Sequence, residues 1–495
     1  MIREIKWHNH KILGNLELNF TKPDGTPYNT IVLAGENGVG KTTILETLAT
    51  FLNLETMEPF EYIKYIVDGI PYTISPEGDL GKYGFHSRKN ETSDEMQTIH
   101  SGRDNNRARI EEDTADLRHY GFSYSKARSG FNTGKIKSTT TQQLDSQKYE
   151  NDSKEDFTLI KQLIVDINAQ DNSEWMRLTR AGSSTTFNEF EHCSKMFRFE
   201  KAFNDFFDIV RFKGIDDTNK EEIKILFEKH GKDISVDSLS TGEKQVVFRG
   251  AHLLKNSNSM VGGVVLLDEP ELSMHPKWQQ KVLEYYRSLF TAEGVQNAQM
   301  IFATHSEYVL NSALNDRDNV LIITLTDDNG IIQAKNITAP STLPTITSAE
   351  TNYLAFGVVS PDYHIELYGW LQNKAQKLSI KSCDDYISNC SEFVPMEHTK
   401  QYLHTDRNGR TTVYQTLPTF IRNSIDHPDS GYSYTENELR KSIELFMESF
   451  NRFLIISLDV LICRYSPLFR AFSALFISEE PHKSFYYPSC FHPQK

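Results

Sequence analysis

The sequence predicts an α/β protein: a mixed sheet, an antiparallel lobe and a helical subdomain, followed by a mainly helical carboxy-terminal region. Three observations predict it. Thr30-Ile31-Val32-Leu33-Ala34 is an apolar run that leads into a glycine-rich loop, Gly35 to Thr43, and then an amphipathic helical pattern from Thr43 to Leu52. Val264 to Leu267 is a second apolar run and ends in Asp268 and Glu269, and Met300 to Ala303 is a third, ending in Thr304-His305-Ser306. Runs that are apolar on both faces suit a parallel sheet covered by helices, and ligands bind such sheets at the carboxyl ends of the strands.

With 495 residues the chain can form two or three domains and a large core without disulfide or metal staples. Lys and Arg total 53 against 67 Asp and Glu, a formal charge of −14, so long-range attraction to nucleic acid is not a property of the whole chain. The five cysteines (Cys193, Cys383, Cys390, Cys463, Cys490) form no close CxxC pair, which favours a reducing compartment. The amino terminus lacks a secretory pattern, and the apolar run Phe453 to Cys463, interrupted by Asp459, is too short to span a bilayer. A soluble cytoplasmic protein without a membrane partner is expected.

In chain order, residues 2 to 34 read as strand, turn at Pro23-Asp24-Gly25, and buried strand. The loop that follows fits GxxxxGK[ST] between a strand and a helix. Its backbone would curl N–H groups around phosphates, so Gly35, Asn37, Gly38, Gly40, Lys41, Thr42 and Thr43 are the candidate ATP contacts. Lys41 would reach the β and γ phosphates, and Thr42 would offer its hydroxyl to Mg²⁺. Residues 59 to 128 suggest an antiparallel lobe with a hairpin at Asp68-Gly69, carrying a polar, mobile excursion from Ser87 to Asp116. Residues 155 to 229 carry helical spacing, and their Phe-rich stripe from Phe197 to Val210 reads as core. No sustained heptad repeat is present, which argues against a coiled-coil arm.

Leu239-Ser240-Thr241-Gly242-Glu243 then reads as a phosphate-contacting loop opening a helix, because small side chains at a positively polarised helix N-terminus admit an anion. It stands about twenty residues before Asp268 and Glu269, which could serve a metal and a water. The hairpin Leu321 to Lys335, turning at Asp328-Asn329-Gly330, closes this region.

These motifs and their spacing resemble the ABC-type ATPases, in the branch that includes SMC and RecF proteins. The resemblance makes Gly35 to Thr42 the Walker A loop, Ser240 to Gly242 the signature loop and Val264 to Glu269 the Walker B strand. It implies Asp268 as a Mg²⁺ ligand with Thr42, Glu269 as the group that activates or orients water, and His305 as the histidine that holds the γ-phosphate. It places Glu271 to Pro276 in a loop facing a partner subunit. His10 and Lys11 lie where related ATPases place adenine or ribose contacts. A glutamine between Walker A and signature should join the Mg²⁺ shell; Gln142, Gln143 and Gln162 are candidates. The Toprim domain of overcoming-lysogenization-defect nucleases is not recognisable.

Residues 337 to 360 read as a linker from the ATPase domain (1–336, helical subdomain about 155–230) into a helical region, 361–450; residues 451–495 match no pattern. Tyr363-His364-Ile365-Glu366-Leu367-Tyr368-Gly369 and Arg422-Asn423-Ser424-Ile425-Asp426-His427-Pro428 narrow the resemblance to the PtuA ATPases of the Septu antiphage family, some of them linked to retrons. The resemblance implies a head-to-tail ATP-sandwich dimer or higher oligomer with ATP and Mg²⁺, and a PtuB-like HNH nuclease as partner. For retron-linked members it implies a reverse transcriptase with its RNA–DNA product. Arg422 and His427 also satisfy the R-x4-H spacing of HEPN ribonucleases; the favoured reading is that they shape a partner-docking helical surface. The leading expectation is an ATP-hydrolysing sensor of an antiphage system that regulates a separate nuclease. The alternatives are a self-contained ATP-gated ribonuclease and an ATP-dependent scaffold that masks a toxin.

Overall fold

A computed structural model describes residues 1–100, 107–128, 131, 133–151, 157–219, 221–292, 294–405 and 409–450. The chain divides into two compact units, residues 1–340 with 345–358, and residues 341–344 with 359 onward.

The first unit is organised by a seven-stranded sheet. Thr30–Gly35 pairs in parallel with Val320–Asp328 on one side and Gln299–Thr304 on the other; Gln299–Thr304 pairs with Val264–Asp268, and Val264–Asp268 with Phe122–Ser125. Ile331–Asn336 is an antiparallel edge strand and Tyr149–Asn151 forms the opposite, parallel edge. Strand alternation divides the apolar residues between two cores. Val32, Ala34, Val265, Leu267, Met300 and Phe302 face one, whereas Ile31, Leu33, Val264, Leu266, Ile301 and Ala303 face the other. Each face is fully buried, which is why these strands read as continuous apolar runs.

The first core is closed by Thr158–Arg180, Lys195–Phe206, Pro276–Ser288 and Glu307–Leu314. Phe199, Phe203, Phe206 and Phe207 are at most 2 % exposed, so most of the aromatic stripe is core, whereas Phe197 is half-buried and Ile209 is exposed. The second core holds Lys41–Leu52 and a six-stranded antiparallel sheet in the order Glu17–Asn19, Ile2–Trp7, Phe60–Val67, Ile70–Pro76, Phe85–Asn90, Met96–His100. Its Asp68-Gly69 hairpin turn has φ of 49° and 78°, the left-handed pair that matches strand twist.

Four local expectations need correction. Phe122–Ser125 belongs to the main sheet and not to the antiparallel lobe. The polar excursion contributes Met96–His100, which pairs with Phe85–Asn90 at a sheet edge where ladder hydrogen bonds need few apolar residues. Helix stops at Phe206, after which Val210–Asp216, Lys224–Lys229 and Lys232–Ser235 form a three-stranded antiparallel sheet. The stretch read as a linker carries the helix Ser348–Phe356, N-capped by Thr347 and ended by Gly357 at φ 63°.

The second unit contains Pro361–Lys374, Ile380–Ser388, Leu417–Asp426 and a helix over residues 436–450 opened by the Thr435/Glu438 capping box. A hairpin, Thr399–Thr405 with Thr411–Thr416, adds strand to a region read as helical. His364 Nε2 lies 3.0 Å from Ser442 Oγ, and burial pushes the imidazole pKa down to about 3. Residues 451–495 lie outside the described residues. Among the described residues no helix is long and apolar enough to cross a membrane.

Candidate nucleotide site

At the carboxyl ends of three adjacent strands the backbone turns sharply, and each turn delivers one part of a single site. After Thr30–Gly35 the chain passes through Gly38 at φ 90° and Gly40 at φ 85°, and the helix begins at Lys41. A Cβ at Gly40 would also sit 2.5 Å from Leu13 Cδ2, so both backbone conformation and packing require glycine there. Lys41 is buried, and its ammonium spends all three donors on Gly35 O (2.7 Å), Glu36 O (2.8 Å) and His305 Nδ1 (3.0 Å). Desolvation brings its pKa down to about 8, against the opposing pull of Glu269 and Asp268.

Val264–Asp268 ends beside this loop. Thr42 Oγ1 lies 3.0 and 3.2 Å from the two Asp268 carboxylate oxygens. Burial raises the Asp268 pKa, while the Thr42 hydrogen bond pulls it down. Glu269 has φ 42°, a left-handed conformation that a non-glycine residue adopts only when its surroundings hold it there. Its Oε1 lies 2.7 Å from His305 Nε2, and that hydrogen bond is the main cause of its lowered pKa. His305 thus bridges the two strand ends: its Nδ1 faces the Lys41 ammonium and Gly35 O, at 3.0 and 3.2 Å, and its Nε2 faces Glu269.

Gln299–Thr304 supplies His305, fixed from behind by Glu271. Glu271 Oε1 accepts from the Thr304 hydroxyl at 2.6 Å and from the His305 N–H at 3.1 Å. Burial raises the Glu271 pKa. The loop expected to face outward is therefore divided: Glu271 is buried, whereas Ser273, at φ 63°, and His275 are exposed. A cavity of about 460 Å³ beside the phosphate loop is lined by Gly35, Glu36, Asn37, His305, Glu307, Phe356 and Val358.

The structure thus brings together Lys41, Thr42, Asp268, Glu269 and His305. Thr43 lies half-buried in the first helical turn. Ser240, Thr241 and Gly242 form no hydrogen bond with those five. Ser240 caps its own helix in a reciprocal box with Glu243, which Lys229 holds at 2.6 Å. A Cβ on Gly242 would lie 2.8 Å from Ser273 O, so the signature loop packs on the exposed turn after Walker B.

His10 Nδ1 accepts from the Ile12 and Leu13 N–H groups at 3.2 Å, shaping the loop that packs on Gly40, and Lys11 is exposed. Gln162 spends its amide on Ser138 O and Asp166, and neither Gln142 nor Gln143 bonds a site residue. In the second unit, Arg422 pairs with Asp426 at 2.6 Å and donates to Asn423 Oδ1 at 2.9 Å. His427 caps the end of that helix and stacks on His404, ring centroids 5.6 Å apart.

Thr42 and Asp268 present hard oxygen donors side by side, which fits Mg²⁺, an ion that takes one or two protein oxygens and fills its octahedron with substrate and water. Sequence reading missed Arg249, fully buried between the signature helix and Walker B, and the inward role of Glu271. The signal for Arg249 was a single cation inside the otherwise apolar stretch from Val246 to Leu254, apart from His252.

Residues 31–311, more than half of the chain, match the family model described as AAA domain, putative AbiEii toxin, Type IV TA system. The chain is 31% identical over 102 residues to the retron Vc95 probable ATPase of Vibrio cholerae serotype O1 biovar El Tor, covering 19% of each chain. It is 25% identical over 329 residues to the Septu protein PtuA of Bacillus thuringiensis, covering 63% of this chain and 74% of that protein. The chain therefore spans about a fifth of the retron relative's length and about three quarters of PtuA. The solved SMC head domain of Thermotoga maritima superposes with TM-score 0.37 at 12% identity, covering 68% of this chain and 99% of that one. With its phosphate loop, Asp268 and Glu269 set in the matched region, the chain belongs to the AAA domain, putative AbiEii toxin, Type IV TA system family and carries that family's ATPase domain.

Proposed function

We propose that this chain binds and hydrolyses ATP between two protomers and serves as the control subunit of a bacterial antiphage defence system, regulating a separate HNH nuclease. The observation that carries the ATPase part is the convergence of Lys41, Thr42, Asp268, Glu269 and His305 at three strand ends. The likeness to Septu PtuA and to a retron ATPase supports the defence setting. The nuclease partner, and a reverse transcriptase with its RNA–DNA product for a retron-linked system, extend that likeness.

Lys41 would exchange its carbonyl partners for the β and γ phosphates, while the curled loop from Gly35 to Gly40 presents backbone N–H groups to them. Thr42 and Asp268 would hold Mg²⁺, which when bound neutralises phosphate charge. Glu269 is an anion at neutral pH, so it can orient a water for in-line attack, and His305 can hold the γ-phosphate while keeping Glu269 aimed. Ser240 and Thr241, exposed at a helix N-terminus, would complete the neighbour's site.

The test is complementation. Lys41→Ala and Ser240→Arg should each abolish turnover as homodimers. A heterodimer carrying one of each, isolated through two different tags, retains one complete site and should recover up to half the wild-type rate. No recovery would contradict the shared site.

A further inference from the structure

Arg249 lies at the end of a five-residue π turn, Gln245–Arg249, that continues the signature helix Thr241–Lys244. It is 0% exposed. Its Nε donates to Ser125 Oγ at 2.9 Å and one terminal nitrogen donates to Ser125 O at 3.0 Å. The guanidinium also reaches Asp268 O at 2.7 Å and Glu269 O at 2.9 Å. One side chain therefore binds the backbone carbonyls of both residues that carry the site's carboxylates, Asp268 and Glu269. A planar fork can hold two divergent carbonyls at once, which an ammonium cannot do with the same rigidity.

Two further features show that this contact constrains the turn. Glu269 sits at φ 42°, and its carbonyl is one of the groups Arg249 grips. The π turn widens the helix where Arg249 must reach inward, and the Gln245 amide donates to Arg128 O on the segment that follows Ser125. The Arg249 end of the turn is thus fastened to the strand beside Walker B, and the Gln245 end to the segment that follows that strand.

We infer that Arg249 is a positioning residue for hydrolysis, which sets the direction of Glu269 in its own protomer and ties that turn to the signature loop offered to the partner. The second half of this inference rests on the shared-site reading above. A shift of the Walker B turn would move the signature helix through Arg249, so the state of one site would reach the other.

The decisive variant is Arg249→Lys, with Ser125→Ala as a milder second. For Arg249→Lys, kcat should fall at least tenfold with KM for ATP within threefold of wild type and a cooperative melt retained. For Ser125→Ala, kcat should fall two- to fivefold, again without a KM change; this arm decides the matter if Arg249→Lys does not fold. Unchanged kcat, or equal losses in binding and turnover, would overturn the positioning role. Coupling is read from a heterodimer of Arg249→Lys with Ser240→Arg, in which the remaining site uses unaltered Walker motifs and the signature loop of the Arg249→Lys protomer. That site should run as slowly as Arg249→Lys itself. A rate equal to the Lys41→Ala with Ser240→Arg heterodimer would overturn the coupling. If that reference heterodimer is itself inactive, the shared site and the coupling both fall, while the kcat and KM pattern still decides the positioning role.

Discussion

His305 Nε2 lies 2.7 Å from Glu269 Oε1, joining the histidine at one strand end to the carboxylate at the next. This bond is the main reason that Glu269 ionises below its ordinary range. Glu269 is therefore held as an anion by the residue expected to contact the γ-phosphate. His305→Ala should raise the Glu269 pKa toward the ordinary carboxylate value, so the acidic limb of the pH–rate profile moves to higher pH. Turnover at pH 7 should fall roughly 10- to 100-fold, as when one preorganised polar group is lost. An unmoved acidic limb in steady-state phosphate release would separate His305 from Glu269.

Lys41 gives a pH dependence of opposite sign. Its folded pKa is brought down to about 8 by desolvation, below the ordinary lysine value. The unliganded site loses this cation as pH rises through 8, and phosphate binding must restore the proton. ATP affinity should weaken roughly three- to tenfold between pH 7 and pH 9, with proton uptake on binding above pH 8. Isothermal titration in two buffers of different ionisation enthalpy measures both. Lys41→Arg, which keeps its charge across this range, should show neither trend.

Glu271 makes a prediction about structure. Its Oε1 accepts from Thr304 and from the His305 N–H, while its Oε2 is buried without a partner. Glu271→Leu removes the acceptor for two buried donors and should cost ~2–4 kcal/mol by denaturant unfolding, with slower turnover because His305 is released. Glu271→Gln retains an acceptor and removes a charge that burial disfavours, so stability should stay level or rise slightly.

The parts of this site legible in the sequence were those with fixed spacing. Lys41, Thr42, Asp268 and Glu269 stand in motifs whose loop and strand are local, and His305 follows an apolar strand. What escaped depends on contacts between distant segments. Glu271 follows Walker B like a surface loop residue, and only the fold brings it under Thr304, 33 positions later. Arg249 meets Ser125 across 124 positions. Val210 and Phe212 fit the end of a helical stripe as well as alternation in a strand, and pairing with Phe227 and Lys229 decides for the strand. The paired strands Thr399–Thr405 and Thr411–Thr416 are rich in threonine and bury mainly Tyr402, Tyr414 and Thr416, which is too little one-sided alternation to announce a strand.

Arg422 and His427 separate control of a nuclease from cleavage by this chain. Arg422 already pairs with Asp426 and Asn423, and His427 stacks on His404 beyond the helix end. The purified chain with ATP and Mg²⁺ should leave RNA, tRNA and DNA intact. The double substitution Arg422→Ala with His427→Ala should keep the ATPase rate within about threefold, as expected if the pair docks a partner and takes no part in hydrolysis. Partner-free RNA cleavage that disappears in His427→Ala would favour the ribonuclease reading.

The most direct measurement is single-turnover phosphate release by Glu269→Gln beside wild type, with nucleotide content and dimer mass read on the same samples. The amide introduced by Glu269→Gln would keep the fold of the turn and the reach to His305 but lose the anion that orients water, so ATP should bind with near wild-type affinity while phosphate release falls at least 100-fold. The variant should then accumulate as a dimer retaining two uncleaved ATP molecules. Wild-type phosphate release by Glu269→Gln, or a monomer that retains ATP, would contradict an ATPase in which Glu269 drives hydrolysis at a site closed by two protomers.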